Sequence, residues 1–177
     1  KNSVGNNEIS FSNKIIPKEK IVSTMNNLRL QGKKIVFTNG CFDILHSGHI
    51  EYLERARALG DILIVGLNSD TSVKRLKGKG RPFNLQKERE KMLASLSSVS
   101  FVSTFHEDTP LKLIQKVNPD ILTKGGDYSS EVIVGTKFVE ANGGYVQILP
   151  YVKGVSTTEI VQTIIDKHNS LNSKKKR

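Results

Sequence analysis

His46 and His49 stand three residues apart around Ser47-Gly48, within the run KIVFTNGCFDILHSGHI from Lys34 to Ile50. Set at the start of a helix, two imidazoles at this spacing would aim two donors of tunable charge at one anion. They could stabilise negative charge as it develops in a transition state. The surrounding residues suit the same target. Gly40 and Gly48 let backbone come close to a ligand, and the first turn of a helix leaves N–H groups unpaired where the helix dipole favours negative charge. Two other readings compete: a capping histidine beside a surface one, and a metal pair. The metal pair is the weaker, because no Cys or carboxylate sits at a spacing that completes a tetrahedral site.

The elements that must hold this turn can be read on either side of it. Ile35 to Phe37 is a short apolar run suited to a buried strand, and Ile50, Leu53 and Ala56 recur at helical core spacing with Glu51, Glu54, Arg55 and Arg57 outward. Ile62 to Gly66 is a second buried run, so strand, crossover helix and strand imply a parallel unit. The pattern then continues. Strands are expected at Val99 to Phe105, Ile121 to Thr123 and Tyr145 to Leu149, and helices at Pro17 to Leu30, Leu111 to Val117 and Glu131 to Ala141. The first of these helices would bury Ile21, Val22, Met25 and Leu28. Asn84 is expected to cap a helix that holds Arg89 and runs to Leu96, and Asp108 or Thr109 to cap the helix behind Pro110. The fold class is α/β: a Rossmann-like, doubly wound, parallel five-stranded sheet with helices on both faces. Residues 1–14 read as a disordered leader or linker, 15–168 as the domain and 169–177 as a basic disordered tail.

Ligands of such sheets sit at the carboxyl ends of the strands, and three further segments fall there. Lys74 to Pro82, KRLKGKGRP, reads as a mobile basic loop able to close over phosphates, or as a solvated surface loop. Lys124-Gly125-Gly126-Asp127-Tyr128 ends the fourth strand, and Asp127 could equally make an Asx turn. Ser156-Thr157-Thr158 opens the last helix, where hydroxyls and free N–H groups make both a cap and an anion cradle. The first turn lacks GxGxxG, which sets hydride transfer aside.

The string GCFDILHSGH resembles the GxFDxxHxGH signature of the nucleotidyltransferase superfamily that includes the cytidylyltransferases. NSDTSVKRLKGKGRP, EDTP, KGGDY, the ANGG turn and GVSTTEI follow in order and resemble the heptose 1-phosphate adenylyltransferase family, from about Lys33 to about Ile165. The resemblance implies transfer of the adenylyl group of ATP to a heptose 1-phosphate, releasing pyrophosphate, with cytidylyl or guanylyl transfer to a heptose or polyol phosphate as the alternative. It implies catalytic roles for His46, His49, Lys77 and Arg89. Nucleotide and sugar phosphate would be bound by Thr38, Asn39, Gly40, Cys41, Phe42, Asp43, Gly48, Arg81, Lys124, Gly125, Asp127, Ser156, Thr157 and Thr158. Mg²⁺ is expected with ATP, without a metal site of the protein's own. A fused or separate sugar kinase and a homo-oligomer are the expected partners. Two departures stand out: Arg89 lies in KER where relatives carry a different local pattern, and Tyr151-Val152-Lys153 replaces the arginine that glycerol-type cytidylyltransferases place before the last motif.

Composition is consistent with this reading. Hydrophobic content of 37% and charged content of 25% across 177 residues suit one globular domain. The single cysteine, Cys41, rules out an internal disulfide and suits a reducing cytoplasm, the expected location. No apolar run approaches a membrane span. The formal charge is +10, and leaving out the four cations Lys174 to Arg177 reduces it to +6. That field suits a triphosphate. Nucleic acid is a poorer match, since aromatic content is 6% and the basic residues are not interleaved with rings. A non-catalytic nucleotide sensor or basic binding module is the reading from a different class.

Overall fold

The computed structural model describes residues 11–126, 133–150 and 156–174. Five parallel strands, β1 (Ile35–Gly40), β2 (Ile62–Asn68), β3 (Phe101–Phe105), β4 (Ile121–Gly125) and β5 (Tyr145–Leu149), form one sheet in the order β3-β2-β1-β4-β5. Their sequences are almost continuously apolar because helices cover both faces. Alternate residues of a strand therefore enter different cores. Val36, Leu63, Val65 and Leu67 pack on one side with Leu53 and Ala56 of α2 (Ser47–Arg57) and Leu93 of α4 (Gln86–Ala94). Ile35, Phe37 and Ile64 pack on the other with Ile21 and Met25 of α1 (Ile21–Leu30), and with Leu113, Ile114 and Val117 of α5 (Leu111–Val117). The expected fold class is the observed one.

Several boundaries differ from expectation, each for a local reason. Residues 17–20 make a turn, Lys20 N donating to Pro17 O at 2.9 Å, so α1 starts later than the proline. Its phase buries Ile21 and Met25 and leaves Val22 about half exposed. The first half of the expected basic loop is helix α3 (Asp70–Lys77), because Ser69 caps it by accepting from Ser72 N at 3.2 Å and Gly78 ends it at φ 96°. Asn84 does not cap α4, whose N-cap is Leu85. Neither Asp108 nor Thr109 caps α5: its N-cap is Pro110, and Asp108 pairs with Arg75 at 2.6 Å. Within the described residues α6 is Thr136–Ala141, a shorter helix than expected, and Glu131 lies outside them.

Among the described residues, parts of the expected leader and tail are structured, while residues 1–10 and 175–177 lie outside them. Phe11–Lys14 form a turn of 3-10 helix, and Lys14 Nζ donates to the carbonyls of Leu96 and Val99 at 2.9 Å each. Ile15 then makes a parallel bridge to Val102 of β3, with Ile16 N donating to Val102 O at 2.8 Å. Helix α7 (Thr157–Lys174) runs well past residue 169. Ser156 caps it, and bonds one turn apart, such as Gln162 to Asp166 at 2.8 Å, support its exposed length.

Candidate active site

The strand order reverses direction between β1 and β4, and the carboxyl ends of these two neighbours open the crevice where doubly wound sheets bind ligands. Lys124 spans that junction. From the end of β4 its Nζ reaches Asn39 O at 3.2 Å and Asn39 Oδ1 at 3.4 Å on β1. Burial, followed by the charge of Lys77, depresses its pKa, while Cys41 acts in the opposite sense. Burial raises the Cys41 thiol against the opposing charges of Lys77, Arg89 and Lys124, so the sulfur is neutral at physiological pH.

Beyond β1 the chain turns through Phe42, a non-glycine residue at φ 44°, and enters α2 with His46 as an extended N-cap. The rings of His46 and His49 stack with centroids 3.8 Å apart, and Phe42 covers His49 at 5.2 Å. Nδ1 of each histidine is buried without a hydrogen bond among the described residues. Burial and then the neighbouring His46 push His49 down to about 4, and burial lowers His46 as well, against the charge of Glu159 on α7. The Ile44 carbonyl is near enough to oppose the shift of His49 without forming a hydrogen bond. At neutral pH the pair therefore faces the crevice uncharged, each ring able to donate one N–H. Thr157 Oγ1 donates to Ile44 O at 3.4 Å, which sets the first turn of α7 against the same turn of chain.

The structure separates the expected site residues into two groups. Asn39, Gly40, Cys41, His46, Gly48, His49, Lys77, Lys124, Gly125, Ser156, Thr157 and Thr158 lie on the loops and termini at the carboxyl edge of the sheet. Of these, Ser156 Oγ is engaged by Glu159 N at 3.1 Å. Asp127 lies outside the described residues, as does Lys153. Three others, Thr38, Phe42 and Asp43, face inward and support the turn, and Arg81 lies partly exposed against Asp43. Thr38 is fully buried and shares a 2.7 Å hydrogen bond with the Tyr52 hydroxyl on α2. Phe42 is a packing ring, and a Cβ on Gly40 would lie 2.9 Å from it. Asp43 is 5% exposed: Oδ1 accepts from Phe83 N at 2.7 Å and Asn84 N at 3.0 Å, and Oδ2 pairs with Arg81 at 3.0 Å.

Arg89 is the largest correction. It is wholly buried, and its guanidinium donates to Asn84 O (3.0 Å), Cys41 O (2.7 Å), Asn68 O (2.8 Å) and Asp70 Oδ1 (2.8 Å). With four of its five N–H donors so used, it ties the ends of β1 and β2 to the segment before α4 and does not reach a phosphate. Sequence reasoning missed two residues, Tyr52 and Asn84. A tyrosine one turn along α2 from His49 is a signal that could have found the first. The second reads in the sequence only as a helix cap, and nothing local marks its actual contact, in which Nδ2 donates to Asp43 O at 2.6 Å.

Comparison with known proteins matches residues 37–163 to the family described as cytidylyltransferase-like. The chain is similar to the bifunctional protein HldE of Syntrophotalea carbinolica, 47% identical over 166 residues, covering 94% of this chain and 34% of that protein. It is also similar to those of Citrifermentans bemidjiense (55% over 138 residues, 78% and 28% covered) and Pseudomonas paraeruginosa (54% over 149 residues, 84% and 31% covered). The chain thus spans about a third of the length of the curated relatives it matches. Among solved structures it is similar to the lipopolysaccharide core biosynthesis protein from Thermoplasma volcanium. The TM-score is 0.58 at 29% identity, over 70% of this chain and 100% of that one. A pantoate-beta-alanine ligase from Francisella tularensis, also at 0.58 but 17% identical over 79% of this chain and 67% of that one, shares the fold.

Proposed function

This chain belongs to the cytidylyltransferase-like family, and from that premise we propose that it is a nucleotidyltransferase of the heptose type. It transfers the adenylyl group of ATP to D-glycero-β-D-manno-heptose 1-phosphate, giving ADP-heptose and pyrophosphate for lipopolysaccharide core synthesis. The observation that carries this reading is the stacked, uncharged imidazole pair at the N-terminus of α2, each ring with an unpaired buried nitrogen among the described residues. The resemblance of KGGDY and GVSTTEI, and the HldE relatives, direct it to adenylyl transfer onto a heptose.

A phosphate oxygen of the sugar attacks the α-phosphorus in line, the bond from that phosphorus to the bridging oxygen breaks, and pyrophosphate leaves. The attacking phosphate is already ionised at neutral pH, so the work is positioning and charge stabilisation rather than proton removal. His46 and His49 donate to the α-phosphoryl oxygens, and the free N–H groups of α2 and α7 face the same charge. Lys77, Arg81 and Lys124 draw off charge on the leaving pyrophosphate. Among the described residues no three His, Cys, Asp or Glu side chains are grouped to hold a metal ion, and Asp43 and Asp70 are taken by Arg81 and Arg89. Mg²⁺ bound with ATP would neutralise charge developing on the phosphates. Heptose 1-phosphate has to come from a sugar kinase, joined or separate, and the enzyme works in the cytoplasm as a homo-oligomer. No helix among the described residues is long and apolar enough to cross a membrane.

The test is a panel of ATP, CTP and GTP against heptose 1-phosphate and glycerol 3-phosphate, read by pyrophosphate release. Turnover with ATP and the heptose phosphate is expected. Preference for CTP, or for the glycerol phosphate, would reassign the substrates, and no release with any pair would remove the activity.

A further inference from the structure

The residues that hold the Arg81-to-Asn84 segment also hold the two sides of Phe42. Its preceding carbonyl, Cys41 O, accepts from Arg89, and the next residue, Asp43, accepts from Phe83 N and Asn84 N while its own carbonyl takes the Asn84 side chain. Arg89 closes the ring of contacts by donating to Asn84 O. Between these fixed points Phe42 sits at φ 44°, a left-handed conformation that is unfavourable for an L-residue and persists only where the surroundings over-determine it. What the conformation achieves is visible: it turns the phenyl ring back over His49, into the space that Gly40 leaves open.

We propose that Asp43, Asn84 and Arg89 form a polar clasp that positions His49 through Phe42, so that Asp43 and Arg89 act on the reaction without touching its substrates. The inference rests on the nucleotidyl-transfer reading for its kinetic consequence only. Asp43 has a second effect, because its pairing with Arg81 parks one cation of the basic segment at the edge of the crevice, partly exposed. The charged or titratable groups around His49 are His46 in the stack and, acting on His46, Glu159 from α7. Beyond Phe42 lie Cys41 with Lys77, Arg89 and Lys124.

The experiment uses the 177-residue chain labelled at histidine carbons, with the His49 signal identified by its loss in His49→Gln, and follows ring titration by NMR alongside steady-state kinetics. In Asp43→Asn the clasp loosens, Phe42 uncovers the ring and the His49 midpoint rises toward 6.5. Loss of the carboxylate charge alone would move it down, so the direction separates repositioning from electrostatics. With ATP, kcat falls about 10²-fold, the effect of misplacing a reacting group by roughly 1 Å, while KM stays within roughly threefold. A midpoint that stays put or falls, or a loss confined to KM for ATP, would overturn the clasp. If thermal melting shows Asp43→Asn to be unfolded, Asn84→Ala, which removes a single side-chain bond, takes its place with a smaller rise expected, and an unmoved midpoint there overturns the proposal. A wild-type chain that releases no pyrophosphate defeats the activity reading and leaves the titration to decide the clasp.

Discussion

His49→Gln should flatten the response of stability to acid. In the folded chain, burial and the adjoining His46 ring hold His49 at about 4, against an ordinary 6.5. The unfolded chain therefore takes up a proton as pH falls through 6.5, whereas the folded chain resists until about 4. The contribution is whole above 6.5 and drains away as the solution is acidified between those values. At pH 5 linkage sets a ceiling of about 2 kcal/mol, and because the ring is only part-buried, screening reduces this to about 1 kcal/mol. For a domain of this size that is about 2–4 °C in Tm. Melting followed by circular dichroism at pH 7 and pH 5 should show the wild type losing about that much more than His49→Gln. Other acidic and basic groups titrate alike in both proteins, so they cancel. Equal losses would mean that the imidazole is not held neutral, and the case for an uncharged donor pair would go with it.

Three more outcomes follow from the same contacts. His46→Ala should lower kcat for pyrophosphate release by about 10²–10³-fold in a folded protein, since it removes one donor aimed at developing charge. A near-normal rate would take the ring out of the mechanism. Arg89→Met leaves Asp70 and three carbonyls without their buried partner and should cost about 3–5 kcal/mol in urea unfolding, where less than about 1 kcal/mol would contradict the staple. Gly40→Ala places a methyl 2.9 Å from the Phe42 ring and should destabilise by about 1–3 kcal/mol while lowering kcat, whereas an unchanged Tm and rate would show that the ring moves aside freely.

The sheet was legible because its information is local. Apolar strands alternate with amphipathic helices, and glycine beside histidine marks the turn after β1, so the carboxyl edge could be located without coordinates. Helix phase was less secure at Ile21-Val22, where two adjacent apolar residues allow two faces and packing alone selects one. The extent of α3 was hidden by the later Gly78, Gly80 and Pro82, although the Ser69 cap three residues before Ser72 was there to be read. What could not be read is the interior of the site. A lone arginine or aspartate looks like surface, and only the meeting of Cys41, Asn68 and Asn84 carbonyls around Arg89, fixed by long-range folding, makes burial of that charge tolerable. The same holds for Asp43, whose partners are some forty residues away in sequence.

The short stretch of Ile15 and Ile16 laid along Val102 has a bearing on how the protein is handled. Edge strands offer rows of open amide groups that recruit foreign chains. Here part of that flank is shielded by the segment that precedes α1. Trimmed versions beginning at Pro17 would keep every residue that faces the crevice yet bare the margin of β3, and their failure would show as clumping in the tube before any change in catalysis.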